Sequence, residues 1–317
     1  MKLITYNNNG QEQLAILEEG QLFDVNTLDR RLPLTMNGFL EHWDYHLSLL
    51  QAVLRSGVQG KSPDAVQWMA PVPYPGSFRD GYAFRRHVEA GRRSRRLAMI
   101  PEFDSFPVFY FSNHRAITGP GDIRCMPDHL EKLDYELEAA VVICREGRNI
   151  KAQEADPYIG GLMILNDLSA RKLQAQEMLL NLGPAKAKDF ATATGPWLVT
   201  TDELEPFVVA AKPGHTGKSW NLQMRCSVNG KHLSLGTLSD MDWTFAEIIA
   251  RASYGVTLYP GDIIGSGTVG SGCLLELNGT AKLADTDYEE QWLTPGDLIE
   301  MEIEGLGILS NRIIQEH

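Results

Sequence analysis

The chain has 317 residues, with 41 acidic and 29 basic side chains and a formal net charge of -12 at pH 7. At about 150 residues per domain, this length indicates one large domain or two unequal ones. A hydrophobic content of 43% excludes wholesale disorder. The negative charge argues against nucleic acid and anionic membranes as partners, because both are polyanions. It does not exclude a small anionic substrate.

Four widely spaced cysteines indicate reduced thiols. Cys125, Cys144, Cys226 and Cys273 form no C-x-x-C pair, so neither a disulfide framework nor a structural zinc site is indicated. The opening residues MKLITYNNNG carry no apolar leader, and apolar runs such as AAVVIC are too short to span a membrane. We therefore expect a cytoplasmic protein.

The N-terminal part of the chain shows two hydrophobic patterns. Residues 1–25 alternate between apolar and polar stretches around Gly- and Asn-rich turns, which predicts a small β-meander. From Met36 to Arg55, apolar residues recur every three or four positions, which predicts a helix. A Gly- and Pro-rich stretch follows, so we expect a small β/α domain over residues 1–70 and a larger domain over 71–317.

The larger domain is predicted to be mainly β. It contains strand-sized apolar runs, namely FPVFYF, ELEAAVVI, PWLVTT, LQMRCSV, CLLELNG and LIEMEI. Two helical patterns interrupt them, at about 168–181 and 244–254. Together these patterns predict an α+β fold in which β structure dominates.

A row of acidic residues opens one of these strands. Side chains alternate along a strand, so Asp134, Glu136 and Glu138 are predicted to share one face, with Tyr135 and Leu137 on the other. Carboxylates at this spacing repel one another, and a bound cation would relieve the repulsion. A solvated strand edge has the same pattern. Both interpretations stay open on this segment alone.

A second polar group lies where a strand meets a predicted helix. Asp167 follows the apolar run GGLMILN, at an N-cap position. Arg171 and Gln174 lie four and seven residues further on, so all three share one helical face. A carboxylate, a guanidinium and an amide can form a binding site. An ordinary capped helix with a polar stripe has the same pattern.

Six arginines lie between residues 85 and 96, close to Asp80 and His87. Such a run can bind nucleic acid, but no aromatic-interleaved signature accompanies it and the net charge opposes this function. A mobile loop that attracts an anionic substrate fits better. His87 on its own is more typical of a structural histidine.

Two later segments supply further polar candidates. Lys188 precedes a Gly- and Thr-rich stretch and could polarise a substrate oxygen. The run GDIIGSGTVGSG is neither a phosphate loop nor a dinucleotide fingerprint. Glu276 follows it in the strand-like run LLELN, where a charge needs a partner or water. The chain has no G-x-S-x-G motif, so serine-hydrolase chemistry has no support, and it lacks the H-E-x-x-H motif of zinc metalloproteases.

Taken in order, these segments resemble the fumarylacetoacetate hydrolase superfamily from about residue 72 to residue 310. The resemblance covers an aspartate seven residues before a histidine, a Glu-x-Glu pair, and an aspartate followed by arginine and glutamine at steps of four and seven. The matching residues are Asp80, His87, Glu136, Glu138, Asp167, Arg171, Gln174, Lys188 and the turn Ser266, Gly267 and Thr268. The resemblance implies a mixed β-roll catalytic domain that commonly forms a homodimer.

The same resemblance implies a set of site residues. The metal ligands would be Asp80, Glu136, Glu138 and Asp167. Carboxylates alone favour Mg²⁺, with Ca²⁺ or Mn²⁺ as alternatives. The catalytic residues would be His87, Glu276, Lys188, Arg171 and Gln174, and the substrate contacts would be Tyr82, Tyr110 and Thr268.

Two catalytic layouts within the superfamily differ in the position of a glutamate. One layout has His-x-x-Glu on a lid helix, but Ala90 stands three residues after His87. The other, that of fumarylacetoacetase, has the glutamate in an L-E-L strand, which Glu276 matches. This match favours a metal-dependent hydrolase that cleaves a C–C bond in a 1,3-diketo or acylpyruvate-type acid, with water activated by the pair of His87 and Glu276.

Two other interpretations stay open. One is decarboxylation of a 2-oxo dicarboxylate, or enol–keto isomerisation in aromatic catabolism, at the same metal site. The other is a catalytically silent binding protein on the same fold. In every enzymatic interpretation we expect a small anionic oxo acid as substrate.

Overall fold

The structure is a computed structural model that describes residues 1–53 and 59–316. Its α-helices are α1 (Val25–Leu28), α2 (Met36–Glu41), α3 (Trp43–Val53), α4 (Arg85–Ser94), α5 (Arg171–Met178), α6 (Phe245–Ser253) and α7 (Leu274–Ala284). Short 3₁₀ helices cover Pro63–Ala65, Pro101–Asp104, His114–Ala116, Ala152–Glu154, Asp156–Tyr158, Thr201–Phe207 and Leu238–Asp240.

The strands in chain order are β1 (Lys2–Asn8), β2 (Gln11–Glu18), β3 (Gln21–Asp24), β4 (Gln67–Trp68), β5 (Phe78–Gly81), β6 (Phe109–Phe111), β7 (Ile117–Thr118), β8 (Gly121–Cys125), β9 (Leu133–Asp134), β10 (Leu137–Ile143), β11 (Gly147–Arg148), β12 (Ile159–Asp167), β13 (Ser169–Ala170), β14 (Thr192–Thr200), β15 (Val208–Val209), β16 (Ser219–Trp220), β17 (Gln223–Val228), β18 (Lys231–Thr237), β19 (Thr257–Leu258), β20 (Ile263–Gly265), β21 (Leu298–Ile303) and β22 (Gly307–Gln315). This content confirms an α+β fold that is mainly β.

Two large sheets form the framework. The larger has the order β3-β2-β1-β14-β12-β10-β20-β5-β6, with β4 paired to β1 and β7 to β14. The second has the order β18-β17-β21-β22-β8. Most pairs are antiparallel, but β20 runs parallel to β5. Because β5, β20, β10 and β12 lie side by side, side chains at their ends reach one region of the molecule.

Strand β10 is buried on both faces, which explains its continuous apolar run. Its alternate residues Ala139 and Val141 belong to the core between the two sheets. Ala140 and Val142 belong to a second core on the opposite face, beneath α2 and α3. A strand covered on both faces has no polar face to solvate.

The N-terminal predictions are largely confirmed. The β-meander predicted for residues 1–25 is formed by β1, β2 and β3. The helix predicted from Met36 to Arg55 is divided into α2 and α3 at His42, and its last two residues lie outside the described residues. Strand β1 pairs with β14, so the meander continues the larger sheet. The domain division at residue 70 stays a prediction.

Three predictions about elements near the site are wrong in detail. The helix predicted at 168–181 is shorter, and Asp167 ends β12 instead of capping that helix. The arginine-rich segment is helix α4 and not a mobile loop, with Ser94 as its last helical residue. The strand predicted for CLLELNG is the start of helix α7. The helix predicted at 244–254 is confirmed as α6, which begins with a capping box between Thr244 and Glu247.

The cysteines and the helices agree with the composition. Within the described part of the chain, Cys125, Cys144, Cys226 and Cys273 are free and buried. None of the helices in residues 1–53 and 59–316 combines the length and the apolar character that a membrane span needs. The cytoplasmic location stays a prediction.

Candidate active site

Three carboxylates meet where the central strands of the larger sheet end. Asp80 lies on β5, Glu138 on β10 and Asp167 at the end of β12, and each is at most 2% exposed. Gly265 on β20 lies between β5 and β10, in register with Asp80. A Cβ atom at Gly265 would lie 2.2 Å from Asp80 Oδ1 and 3.4 Å from Glu138 Oε2. The glycine therefore provides the space in which these carboxylates face each other.

The cluster fits a hard divalent cation. Burial, together with the negative charges around it, raises the pKa of Asp80, of Glu138 and of Asp167. The hydroxyl of Thr268 donates to Glu138 Oε1 at 3.1 Å. Among the residues that the structure describes, the buried Glu138 Oε2 has no hydrogen-bond partner. An unpaired carboxylate oxygen within an all-oxygen donor set is the environment that Mg²⁺, Mn²⁺ or Ca²⁺ would satisfy.

Glu136 is turned towards two cationic side chains. Arg171 Nη2 donates to Glu136 Oε1 at 2.7 Å, and Lys188 Nζ donates to Glu136 Oε2. Burial would raise the pKa of Glu136, but the positive charges of Lys188 and Arg171 hold it well below its ordinary value. Lys188 Nζ also donates to Asp167 Oδ2 at 2.6 Å. In this arrangement Lys188 joins two of the four predicted metal ligands.

Lys188 and Tyr110 complete the polar surface around Asp167. Lys188 is 4% exposed, and burial on its own would lower its pKa. The carboxylates of Asp167 and Glu136 raise its pKa by a larger amount, so Lys188 stays cationic. The Tyr110 hydroxyl donates to Asp167 Oδ2. Burial and the charge of Asp167 raise the pKa of Tyr110, which remains a neutral donor. Tyr110, predicted as a substrate contact, therefore touches a predicted metal ligand directly.

His87 and Glu276 come together from two helices. His87 Nδ1 lies 2.9 Å from Glu276 Oε2, which joins the first turn of α4 to the first turn of α7. The backbone N–H of Ser271 donates to Glu276 Oε1 at 2.8 Å. The Tyr82 ring meets the His87 ring edge-on, with centroids 5.8 Å apart. The predicted pairing is thus present, although Glu276 comes from a helix and not from a strand.

Asp134 anchors this arrangement, although the sequence interpretation placed it in the acidic row and did not include it among the site residues. Arg171 Nε donates to Asp134 Oδ2 at 2.8 Å, and Arg171 Nη1 donates to Gln174 Oε1 at 2.9 Å. The backbone N–H groups of Leu274 and Leu275 donate to Asp134 at 2.7 and 3.0 Å. Asp134 therefore ties Arg171 to the helix that carries Glu276. Its place on the acidic face of DYELE was the signal that could have identified it.

A mixed group of ligand atoms lies on the His87 side of the cluster. The group consists of His87, Glu136 and Cys273, and one ligand atom from each lies within 4.8 Å of the other two. Among the described residues, this is the group of three such side chains that meets this distance. Within the same part of the chain, no three of the four predicted carboxylate ligands meet that distance. Ion pairs hold Glu136 against Arg171 and Lys188. Burial raises the pKa of the Cys273 thiol, and nearby carboxylates add to this effect.

The fold and the site together define a class of proteins in which a mainly β framework surrounds a cluster of buried carboxyl groups. Residues 77–314 match the family model described as fumarylacetoacetate (FAA) hydrolase C-terminal. The chain therefore belongs to the fumarylacetoacetate hydrolase family.

Individual relatives differ in the reactions that their names describe. The chain is 30% identical to an oxaloacetate tautomerase, Fahd2a, mitochondrial, of Rattus norvegicus, over 93% of this chain and 84% of the relative. It superposes on fumarylacetoacetate hydrolase from Exiguobacterium antarcticum with a TM-score of 0.72 at 22% identity, covering 100% of both chains. Maleylpyruvate hydrolase from Sphingobium sp. SYK-6, in complex with manganese(II) and pyruvate, gives 0.72 at 19% identity, again over 100% of both chains. At these identities the two structures show a shared fold.

Proposed function

We propose that this protein is a divalent-metal-dependent keto–enol tautomerase of a 2-oxo dicarboxylate such as oxaloacetate. The observation that carries the proposal is the buried pair of His87 and Glu276 beside a carboxylate cluster with an unpaired oxygen. The name of the rat relative supports tautomerisation over the hydrolysis that we expected from the sequence. The hydrolase assignment thus becomes the second candidate.

The carboxylates of Asp80, Glu138 and Asp167 would hold the metal, and Glu136 would join them on leaving its ion pairs. A bound divalent cation would polarise the 2-oxo group and accept the negative charge of the enolate oxygen. Lys188 would add a fixed positive charge on the same side, since its pKa is raised.

His87 would move the proton. Glu276 occupies Nδ1 of His87, which leaves Nε2 to exchange a proton with C3 of the substrate. In the keto-to-enol direction the C3–H bond breaks and an O–H bond forms at the 2-oxo oxygen. The reverse direction restores both bonds, so no water is consumed and no C–C bond breaks. This balance separates the tautomerase from both the hydrolase and the decarboxylase.

The pair of His87 and Glu276 also suits C–C hydrolysis, which is the second candidate. A histidine oriented by a glutamate is also suited to deprotonating an attacking water. In that case, Lys188, Arg171 and Gln174 would stabilise the oxyanion, as predicted from the sequence. The homodimer and the substrate contacts of Tyr82 and Thr268 stay predictions under either reaction.

The experiment follows enol-oxaloacetate by its ultraviolet absorbance, with Mg²⁺ or Mn²⁺ present and with product analysis by NMR. We expect faster ketonisation without formation of pyruvate. Replacing the base by His87→Asn should lower kcat by about 10²- to 10⁴-fold. His232→Asn, at an exposed histidine on β18, is the matched control and should keep the parent rate.

Two outcomes would contradict the tautomerase. One is a His87→Asn variant with the parent rate, which removes the assigned base. The other is cleavage of acylpyruvates to pyruvate and a carboxylic acid at a higher kcat/KM than ketonisation. That second outcome would favour the hydrolase, whereas release of CO₂ from oxaloacetate would favour a decarboxylase.

A further inference from the structure

Three ligand types that suit zinc meet beside the proposed base. A ring nitrogen of His87, a carboxylate oxygen of Glu136 and the sulfur of Cys273 lie within 4.8 Å of one another. The three residues are buried, at 9%, 6% and 0% exposed. Around tetrahedral zinc, with bonds of about 2.0–2.3 Å, neighbouring ligand atoms are about 3.3–3.8 Å apart. Small side-chain movements therefore separate this group from a zinc site with an open fourth position.

The surroundings of His87 and Cys273 orient both residues for a metal. Glu276 contacts His87 Nδ1 at 2.9 Å, which fixes the ring and directs Nε2 away from the glutamate. A carboxylate behind a ligating histidine is a recurring feature of zinc sites. Cys273 is the N-cap residue of α7, so its side chain lies at the positive end of a helix. Burial and the nearby carboxylates raise the pKa of this thiol, so a bound cation would displace its proton.

The charges nearby do not prevent a cation from binding. Arg171 and Lys188 contact Glu136, and their positive charges oppose a dication. Each of them also has another carboxylate partner, because Arg171 pairs with Asp134 at 2.8 Å and Lys188 with Asp167 at 2.6 Å. Glu136 can therefore accept a metal without leaving either cation unpaired.

We propose that His87, Glu136 and Cys273 form an inhibitory site for Zn²⁺ or a similar thiophilic cation. Thiolate and imidazole ligands select such cations over Mg²⁺, whereas the all-carboxylate set selects hard cations. The two sites share Glu136, so they compete for it. Zinc binding also removes Nε2 of His87 from the reaction. The binding stands independently of the proposed tautomerase, and only its inhibitory effect rests on His87 being the base.

Cobalt provides the first test, because Co²⁺ bound to a thiolate gives a charge-transfer band in the near ultraviolet. Titration of the unaltered chain without Mg²⁺ should produce this band together with the visible bands of tetrahedral Co²⁺, and added Mg²⁺ should weaken both. Cys273→Ser should abolish the charge-transfer band. Cys144→Ser, at another buried cysteine, should keep it. A parent protein without the band overturns the proposal, even if Cys273→Ser fails to fold.

Inhibition provides the second test. The Zn²⁺ concentration that halves activity is measured in excess Mg²⁺, with each variant compared to its own rate without zinc. Loss of one ligand should raise that concentration at least about tenfold in Cys273→Ser. Equal zinc sensitivity in the parent and in Cys273→Ser would place zinc at the carboxylate cluster and overturn the proposal. Failure of the proposed tautomerase would leave the cobalt result unaffected.

Discussion

Replacing Asp134 by asparagine should destabilise the protein and misplace Glu276. Asp134 is 0% exposed and accepts from Arg171 and from the N–H groups of Leu274 and Leu275. Asparagine keeps the shape but replaces one oxygen by an NH₂ group, which would face a donor. Hydrogen bonds to charged groups contribute about 1.5–3 kcal/mol each, and breaking a buried ion pair costs about 3–5 kcal/mol. We expect the free energy of unfolding to fall by about 3 kcal/mol.

Urea denaturation followed by tryptophan fluorescence, without divalent cations, measures this loss. The matched control is Asp122→Asn on β8, where the side chain is exposed and the change should stay within about 0.5 kcal/mol. Because Glu276 lies in the same helical turn as Leu274, kcat should also fall, by about tenfold or more. An Asp134→Asn variant as stable as the control would refute the anchoring role. A stability loss with kcat unchanged would restrict that role to folding.

Two further predictions concern the carboxylate cluster. Gly265→Ala should weaken Mg²⁺ binding by about tenfold or more in calorimetry, because the added methyl group lies 2.2 Å from Asp80 Oδ1. The control is Gly91→Ala, whose added methyl group has no atom within 4 Å, and it should bind Mg²⁺ like the parent. Burial raises the pKa of Asp80 to about 8. Without metal, the free energy of unfolding should therefore fall as the pH rises from about 4 towards 8, because this buried carboxyl group becomes ionised. Mg²⁺ affinity should rise over the same range, and a pH-independent affinity would contradict the protonated cluster.

The sequence was most informative where function depends on residues close together in the chain. Alternation along DYELE correctly placed Tyr135 and Leu137 in the core, opposite the carboxylates. The polar residues Arg171 and Gln174 lie in contact at 2.9 Å, as their helical spacing predicts. Local periodicity decides such features, because the spacing itself sets which side chains share a face.

Features that depend on distant parts of the chain were not predictable from local patterns, and the pairing of His87 with Glu276 was expected only from the family resemblance. LLELN has the alternation of a strand, yet Leu275 is 41% exposed and the segment is helical. Its helix begins where Asp134, 140 residues away, accepts the N–H of Leu274. A short apolar run does not distinguish a strand from a helix, and here a tertiary contact determines the choice. The mixed group with Cys273 depends on the same helix start.

The charges at the site show why a divalent cation would have to replace protons and loosen ion pairs when it binds. Five buried carboxyl groups lie together, namely Asp80, Asp134, Glu136, Glu138 and Asp167, and two buried cations, Arg171 and Lys188, lie among them. If all five were ionised, three negative charges would remain uncompensated at low dielectric, so protons must occupy part of the cluster. A divalent cation can replace those protons, but Glu136 reaches it only by loosening its ion pairs with Arg171 and Lys188. Since both cations keep Asp134 and Asp167 as partners, that release costs less than breaking an isolated buried pair. The chain therefore tolerates an acidic buried site without metal while keeping Glu136 available to bind one.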